Sequence, residues 1–535
     1  MDLDIVIRNG RVIDGSGNPS MWGEVGIKNG KIAAVGRLDG VTAAQEIDAE
    51  AKVVSPGFID PHTHSDLSFV IDPSAQSKIR QGVTVEVTGN CGSSAGGPLV
   101  GAALERFAQG FERYGVTPDE VGATWTGIGG YLEVMRRKGA TTNTVPLVGH
   151  GTLRACVLGY EDREPARAEL DEMKRLLEES LEQGAMGMST GLFYVPGSYA
   201  KTDEVVELAR IVARHDKLYA SHIRDEGRDN VGYEYAWNEV LETGKQSRAR
   251  VLVNHIKCLG PKVWGHADKI IGLLETARRD GVNVIADQYP YAACGGGITG
   301  LLMPRWAQEG GRQAMLARLD DPFAGPKLHR ELAQTLEDVG GPNRLQIRAF
   351  APQPEIEGLR LSEVCDRNGM DPTDQILAMV RQGNASFISH ILNESDMLAF
   401  ARHPAVTVGS DGTSLRTSGP LSAGHPHPRD FGTFPRALRL FVREHRLYSL
   451  EEAVRKLTSM PAQTIGLQNR GLLRAGNWAD VIVFDPEQIT DTNTWLQPKT
   501  YASGVEWAIV NGAVVIADGE FTGRTPGRPL TGRYD

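Results

Sequence analysis

The chain has 535 residues, 41% hydrophobic and 23% charged, the composition of a globular protein long enough for several domains or one large barrel with additions. Its formal charge of −10 comes without a polybasic run, which argues against nucleic acid and anionic membrane as partners. The opening MDLDIVIRNG lacks a basic stretch followed by an apolar core, no run approaches about 18 apolar residues, and the five cysteines (91, 156, 258, 294, 365) are widely spaced; a cytoplasmic protein with reduced thiols is expected.

In chain order, DIVIRNGRVIDG and GEVGIKNGKIAAVG read as short strands, and the Asn-Gly pair in each is a hairpin signal. The C-terminal ADVIVFDP and VEWAIVNGAVVIADGE repeat the style, so a small β-domain built from residues 1–54 and 469–535 is expected. Between them, eight apolar runs read as strands: VVSPGFID, VTVEVTGN, TNTVPLVGHG, AMGMST, LYASHI, RVLVNHI, VNVIADQYP and AVTVGSDG. Helical patterns intervene, the clearest being EPARAELDEMKRLLEESLEQG with Leu176, Leu177 and Leu181 at helical spacing. Strand–helix alternation over 55–468 predicts an α/β fold, a TIM-like (β/α)8 barrel, with catalytic groups at the C-terminal strand ends. Residues 296 to about 395 are too many for a plain connection and predict an inserted helical subdomain before the last barrel strand.

The strand ends carry the chemistry. The first run ends in His62 and His64, the second in Cys91, the fifth in His222, the sixth in His255 and the eighth in Asp411. Residues i and i+2 of an extended segment share a face, so His62 and His64 can both enter the barrel mouth. Singly, each is an ordinary core or turn residue, and His150 at the end of the third run shows that the pattern also collects bystanders. Together at one end of one barrel, imidazole, thiolate and carboxylate make a site suited to Zn2+.

The stretches PGFIDPHTHSDL, TGNCG, ASHIRDE, NHIKCLG, DQYPY, VGSDG and HPHPRDFGTFPRAL resemble the D-aminoacylase branch of the amidohydrolase superfamily. RGLLRAGNWADVIVFDP resembles that superfamily's return into its β-sandwich, which makes the terminal β-domain a sandwich. The resemblance implies an N-acyl-D-amino-acid deacylase with one tight zinc on Cys91, His222 and His255. It also implies a second, weaker metal position lined by His62 and His64, with Asp411 as general base and then acid. Many binuclear relatives bridge their metals with a strand-four lysine; AMGMSTG has none, so Cys91 is the expected bridge and dihydropyrimidinase-like readings are disfavoured.

The implied substrate is a small anionic N-acyl amino acid, and Lys257, Tyr289 and Arg429 are the implied substrate-binding positions. Arg429 offers a planar fork to a carboxylate. GGG at 295–297 stands where relatives often carry a small hydroxyl residue. Arg305 is a candidate for an acidic substrate side chain, weighed equally against a solvated residue of the insert. The readings kept beside this one are an amidohydrolase of cyclic amides or β-aspartyl dipeptides and an inactive barrel used as a binding scaffold. Preference for the D enantiomer rests on the resemblance alone, and a monomer or low-order homo-oligomer is expected.

Overall fold

A computed structural model describes residues 2–227 and 230–535. The chain opens with β1 (Asp2–Val12), β2 (Met21–Lys28), β3 (Lys31–Gly36), β4 (Thr42–Asp48) and β5 (Val53–Pro56). Of the two Asn-Gly pairs expected to turn hairpins here, Asn29–Gly30 does so between β2 and β3, with φ of 51° and 74°. Asn9–Gly10 does not. It lies within β1, where pairing to β2 slips between Ile7 and Gly10, so the pair forms a bulge. A Cβ at Gly10 would stand 2.4 Å from Val54 Cγ2. That glycine serves the close approach of β5, and the hairpin expectation at this position is corrected.

The middle of the chain supplies β6 (Phe58–Asp60), β7 (Val83–Thr88), β8 (Asn143–Pro146), β9 (Val148–Gly149), β10 (Gly187–Gly191), β11 (Leu218–His222), β12 (Arg250–Val253) and β13 (Val284–Gln288). β14 (Cys294–Gly297), β15 (Leu345–Ala349), β16 (Ser386–Ser389) and β17 (Val406–Val408) follow. β6-β7-β8 form one parallel sheet, and β9-β10-β11-β12-β13-β17 form another. The third expected run is thus split into β8 and β9, with His150 already starting a helix, His150–Val157. A parallel bridge between Thr63 and Gly412 brings the segment after β6 beside the segment after β17.

These strands read as continuous apolar runs because both faces are covered; Val251, Leu252 and Val253 are fully buried. The helix Thr202–Arg214 buries Val205, Leu208, Ala209 and Val212, one stripe at helical spacing. The expected helix over 164–184 spans Arg167–Glu182 and buries Met173, Leu177 and Leu181, while Leu176 is only half-buried.

The insert is not purely helical. Its helices pack with the antiparallel sheet β14-β16-β15 around Leu328, Leu332, Ile347 and Phe387. β18 (Val481–Phe484), β19 (Val505–Val510), β20 (Ala513–Ala517) and β21 (Glu520–Phe521) end the chain, with Asn511–Gly512 turning β19 into β20. β18 pairs antiparallel with β5, so both chain ends share one nine-stranded sheet. Among the described residues no helix is long and apolar enough to cross a membrane.

Candidate metal centre and substrate cleft

Three of the expected site residues hold a backbone conformation that L residues rarely adopt: Cys91 (φ 53°), His255 (φ 36°) and Asp411 (φ 49°). Each follows a strand and turns sharply there, a strain of order 1–3 kcal/mol that the surrounding structure must offset. Around Cys91 the offset is close backbone packing. A Cβ on Gly191 would lie 2.1 Å from the Cys91 carbonyl oxygen, and one on Gly92 would lie 2.5 Å from Gly191 N. Only glycines let β10 press the cysteine turn into place.

Cys91 Sγ lies 3.3 Å from His62 Nε2 and 3.5 Å from His255 Nε2. Two donor groups form around it: Cys91, His222 and His255 in one, and His62, His64, Cys91 and Asp411 in the other. Within each, one atom per residue lies within 4.8 Å of the rest. Cys91 belongs to both, the arrangement expected of a bridging thiolate. Both ring nitrogens of buried His222 lack a hydrogen-bond partner among the described residues, although Glu226 Oε2 stands 3.5 Å from Nε2. Buried polar atoms are rarely left so. A cation between His222, His255 and Cys91 would satisfy one of the two, and the nitrogen–sulfur set suits zinc.

Electrostatics agree. Burial raises the Cys91 thiol, but His62, His255 and His222 outweigh it and hold the group well below the ordinary thiol range. Asp287 sits behind the pair of rings. Its Oδ1 lies 3.3 Å from His62 Nδ1, on the side of that ring away from the sulfur, and accepts from the His255 backbone N–H at 2.8 Å, so it orients the His62 imidazole and pins the turn that carries His255.

Asp411 faces the same space. Its Oδ1 is 2.9 Å from His64 Nε2 and its Oδ2 is 2.7 Å from Arg429 Nη1. Burial raises the carboxyl, and Arg429, His255, His62 and His64 together hold it well below the usual carboxylate range. Beneath it, buried Lys78 donates to Asp60 Oδ2 at 3.1 Å and to Ser410 Oγ, while Asp60 Oδ1 accepts from Ser410 N at 2.9 Å. This pins the turn that presents Asp411 to the segment that presents His62.

A cleft of about 1040 Å³ opens on this centre, lined among others by Cys91, Lys257, Tyr289, Gly295, Arg348 and Arg429. Lys257 Nζ donates to Glu226 Oε1 at 2.5 Å and lies 2.7 Å from His255 Nδ1. Tyr289 stands between two cations, its ring centre 4.9 Å from Arg429 Cζ and 5.9 Å from Lys257 Nζ, and its buried hydroxyl lacks a partner among the described residues.

Arg305 does not line the cleft. Its Nε donates to the Phe193 carbonyl at 3.3 Å and its guanidinium lies 5.2 Å from the Phe193 ring, so the side chain packs against the cleft wall and not into it. His150 lies 2.7 Å from Glu204 Oε1 beside Arg154, a buried polar cluster apart from the donor groups. Glu226 and Asp287 were missed by sequence reasoning. Both sit in quoted motifs, Glu226 four residues after His222 and Asp287 before Tyr289, but only their folded partners reveal their work.

Parallel strands that end together on four imidazoles, a thiol and a carboxylate define a metal-binding α/β protein of enzymatic type. The chain belongs to the amidohydrolase family, whose pattern matches residues 45–315 and 368–516. Two curated relatives, both from Alcaligenes xylosoxydans xylosoxydans, match nearly end to end. An N-acyl-D-glutamate deacylase is 36% identical over 99% of this chain and 96% of its own, and a D-aminoacylase is 34% identical over 99% and 97%. The crystal structure of an N-acyl-D-glutamate deacylase from Bordetella bronchiseptica, complexed with zinc and a phosphonate inhibitor that mimics the tetrahedral intermediate, superposes with a TM-score of 0.81 at 33% identity, covering 99% of this chain and 100% of that one.

Proposed function

We propose that this protein hydrolyses the amide bond of N-acyl-D-amino acids, releasing a carboxylate and a free D-amino acid. The observation that carries the reading is the Asp411 carboxyl, paired with His64 and Arg429 at the edge of a donor set built on Cys91. Near full-length similarity to deacylases of that substrate class supports it. Cys91, His222 and His255 would hold Zn2+, with His62 and His64 lining a second, weaker position that shares the thiolate. When bound, the ion lowers the pKa of water towards neutrality and polarises the amide carbonyl.

The chain's own residues do the rest. The Asp411 carboxylate accepts the proton of the attacking water and returns it to the departing amine nitrogen, base first and acid second. His64 and Arg429 keep that carboxylate charged and aimed. Glu226 holds the His255 ring at Nδ1 and Asp287 holds its backbone N–H, which together orient the ring that a cation would meet. A substrate carboxylate set among Arg429, Lys257 and Tyr289 would supply the partner that the Tyr289 hydroxyl lacks.

For architecture, we read the two parallel sheets and the Thr63–Gly412 bridge as one closed eight-stranded barrel over 55–468, with its insert at about 296–395. Residues 1–54 and 469–535 form the accompanying β-sandwich. The free, widely spaced thiols suit the cytoplasm.

Purified protein given matched N-acetyl-D- and N-acetyl-L-amino acids should release acetate from the D series. Turnover of the L series alone, or of cyclic amides or β-aspartyl dipeptides in preference to both, would refute the assignment.

A further inference from the structure

Arg348 is the odd residue of a bulge. β15 pairs with β16 through Ile347↔Phe387 and Ala349↔Ser386, so two consecutive partners on β16 face three residues on β15 and Arg348 is left unpaired. A bulge re-aims a side chain. Ile347 stays fully buried in the insert's apolar core, whereas Arg348 leaves that core and lines the substrate cleft.

Its destination is specific. From the backbone of Gly295 on β14, the point where a Cβ would stand lies 3.4 Å from Arg429 Nη2 and 3.6 Å from Arg348 Nη1. Each guanidinium is anchored by a different carboxylate on its other nitrogen. Arg429 Nη1 rests on Asp411 Oδ2 at 2.7 Å, and Arg348 Nη2 rests on Asp430 Oδ2 at 3.4 Å. Asp430 is itself fixed, accepting from Thr413 N at 2.6 Å. Two cations thus converge on one spot in a wall that Gly295 keeps bare.

We infer that Arg348 and Arg429 form a two-arginine clamp for the α-carboxylate of the substrate, with the bare Gly295 leaving room for one carboxylate group between their Nη atoms. The inference rests on the proposed deacylase reading, because it needs a substrate with a free carboxylate. Arg348 is a substrate-binding residue in this account and takes no part in bond breaking. Like charges brought this close favour an anion between them, and a planar guanidinium meets a carboxylate with directed hydrogen bonds.

The test compares wild type, Arg348→Gln and Gly295→Ala on N-acetyl-D-glutamine, its α-carboxamide and N-acetyl-D-glutamate. Arg348→Gln should lower kcat/KM on N-acetyl-D-glutamine by about ten- to a hundredfold, mainly through KM, and leave the carboxamide nearly unchanged. Gly295→Ala meets no close contact and keeps both arginines, so it serves even if Arg348→Gln folds poorly; its methyl would occupy the space of a carboxylate and of the equally large carboxamide alike, so it should raise KM for all three compounds, and an unchanged KM for the acids would overturn the clamp. Equal losses on acid and carboxamide from Arg348→Gln would make Arg348 only a counter-ion for Asp430 and overturn the clamp. A loss on N-acetyl-D-glutamate without one on N-acetyl-D-glutamine would make Arg348 a side-chain reader and overturn it too. Should wild type turn over none of the three and no other N-acetyl-D-amino acid, the deacylase reading fails. The clamp is then judged separately from their calorimetric Kd values: a wild-type preference for acid over carboxamide that Arg348→Gln abolishes supports it, and no such preference overturns it.

Discussion

Arg429 Nη1 lies 2.7 Å from Asp411 Oδ2, and both side chains are almost wholly buried. The pair explains how a carboxylate surrounded by protein stays charged: the guanidinium and the histidines offset the burial that would otherwise protonate it. A buried ion pair is costly unless well placed, so its presence at this point favours function over stability as its reason.

Replacing Asp411 by Asn keeps shape but removes the proton acceptor. Cys91, His222 and His255 are untouched, so zinc content should stay near the wild-type value while kcat falls by about 10²–10⁴-fold. Steady-state kinetics and elemental analysis on the same preparation decide it. A variant that keeps more than roughly a tenth of wild-type kcat would show that Asp411 is not the base.

The donor set was legible in the sequence because each member ends an apolar run, and His62 and His64 share a face by spacing alone. Other parts were not, for physical reasons. Asn9–Gly10 carries a turn signal that is purely local, whereas the Val54 methyl that makes it a bulge comes from another strand. Arg305 sits in a suggestive motif, but its direction is set by the Phe193 carbonyl and ring. Arg348 shows no sequence mark, since the bulge that turns it exists only in the pairing of β15 with β16. Glu226 and Asp287 acquire their partners only when β11, β12 and β13 lie side by side.

Lys78 and Asp60 form a fully buried pair beneath Asp411. Lys78→Met leaves an unpaired buried carboxylate and should destabilise the protein by about 3–5 kcal/mol. Adding Asp60→Asn removes that charge and should recover part of the loss. Denaturant unfolding of the two single variants and the double variant checks the coupling. Stabilities that simply add would mean that the pair does not act as a unit.

Glu86 gives a pH signature. Burial is the largest influence on it and pushes its pKa from 4.5 up to about 7, against opposing effects of Lys78 and Ser65. The folded chain therefore holds a proton that the unfolded chain has lost, and stability falls as pH rises from about 4.5 to about 7. Glu86→Gln removes this titration. The melting temperature of the variant relative to wild type should climb across that window and level off above it. Parallel curves for the two proteins would show that Glu86 ionises normally.

The account depends most on a metal held at Cys91. The direct measurement is a zinc titration of chelator-stripped wild-type protein and Cys91→Ala, following acetate release from the N-acetyl-D-amino acid that the wild type turns over best. Wild type should start inactive, regain turnover in proportion to zinc and approach its plateau near one zinc per chain, while Cys91→Ala should neither retain the ion nor recover. Full activity in the stripped wild type, or a Cys91→Ala titration that overlays it, would contradict the account.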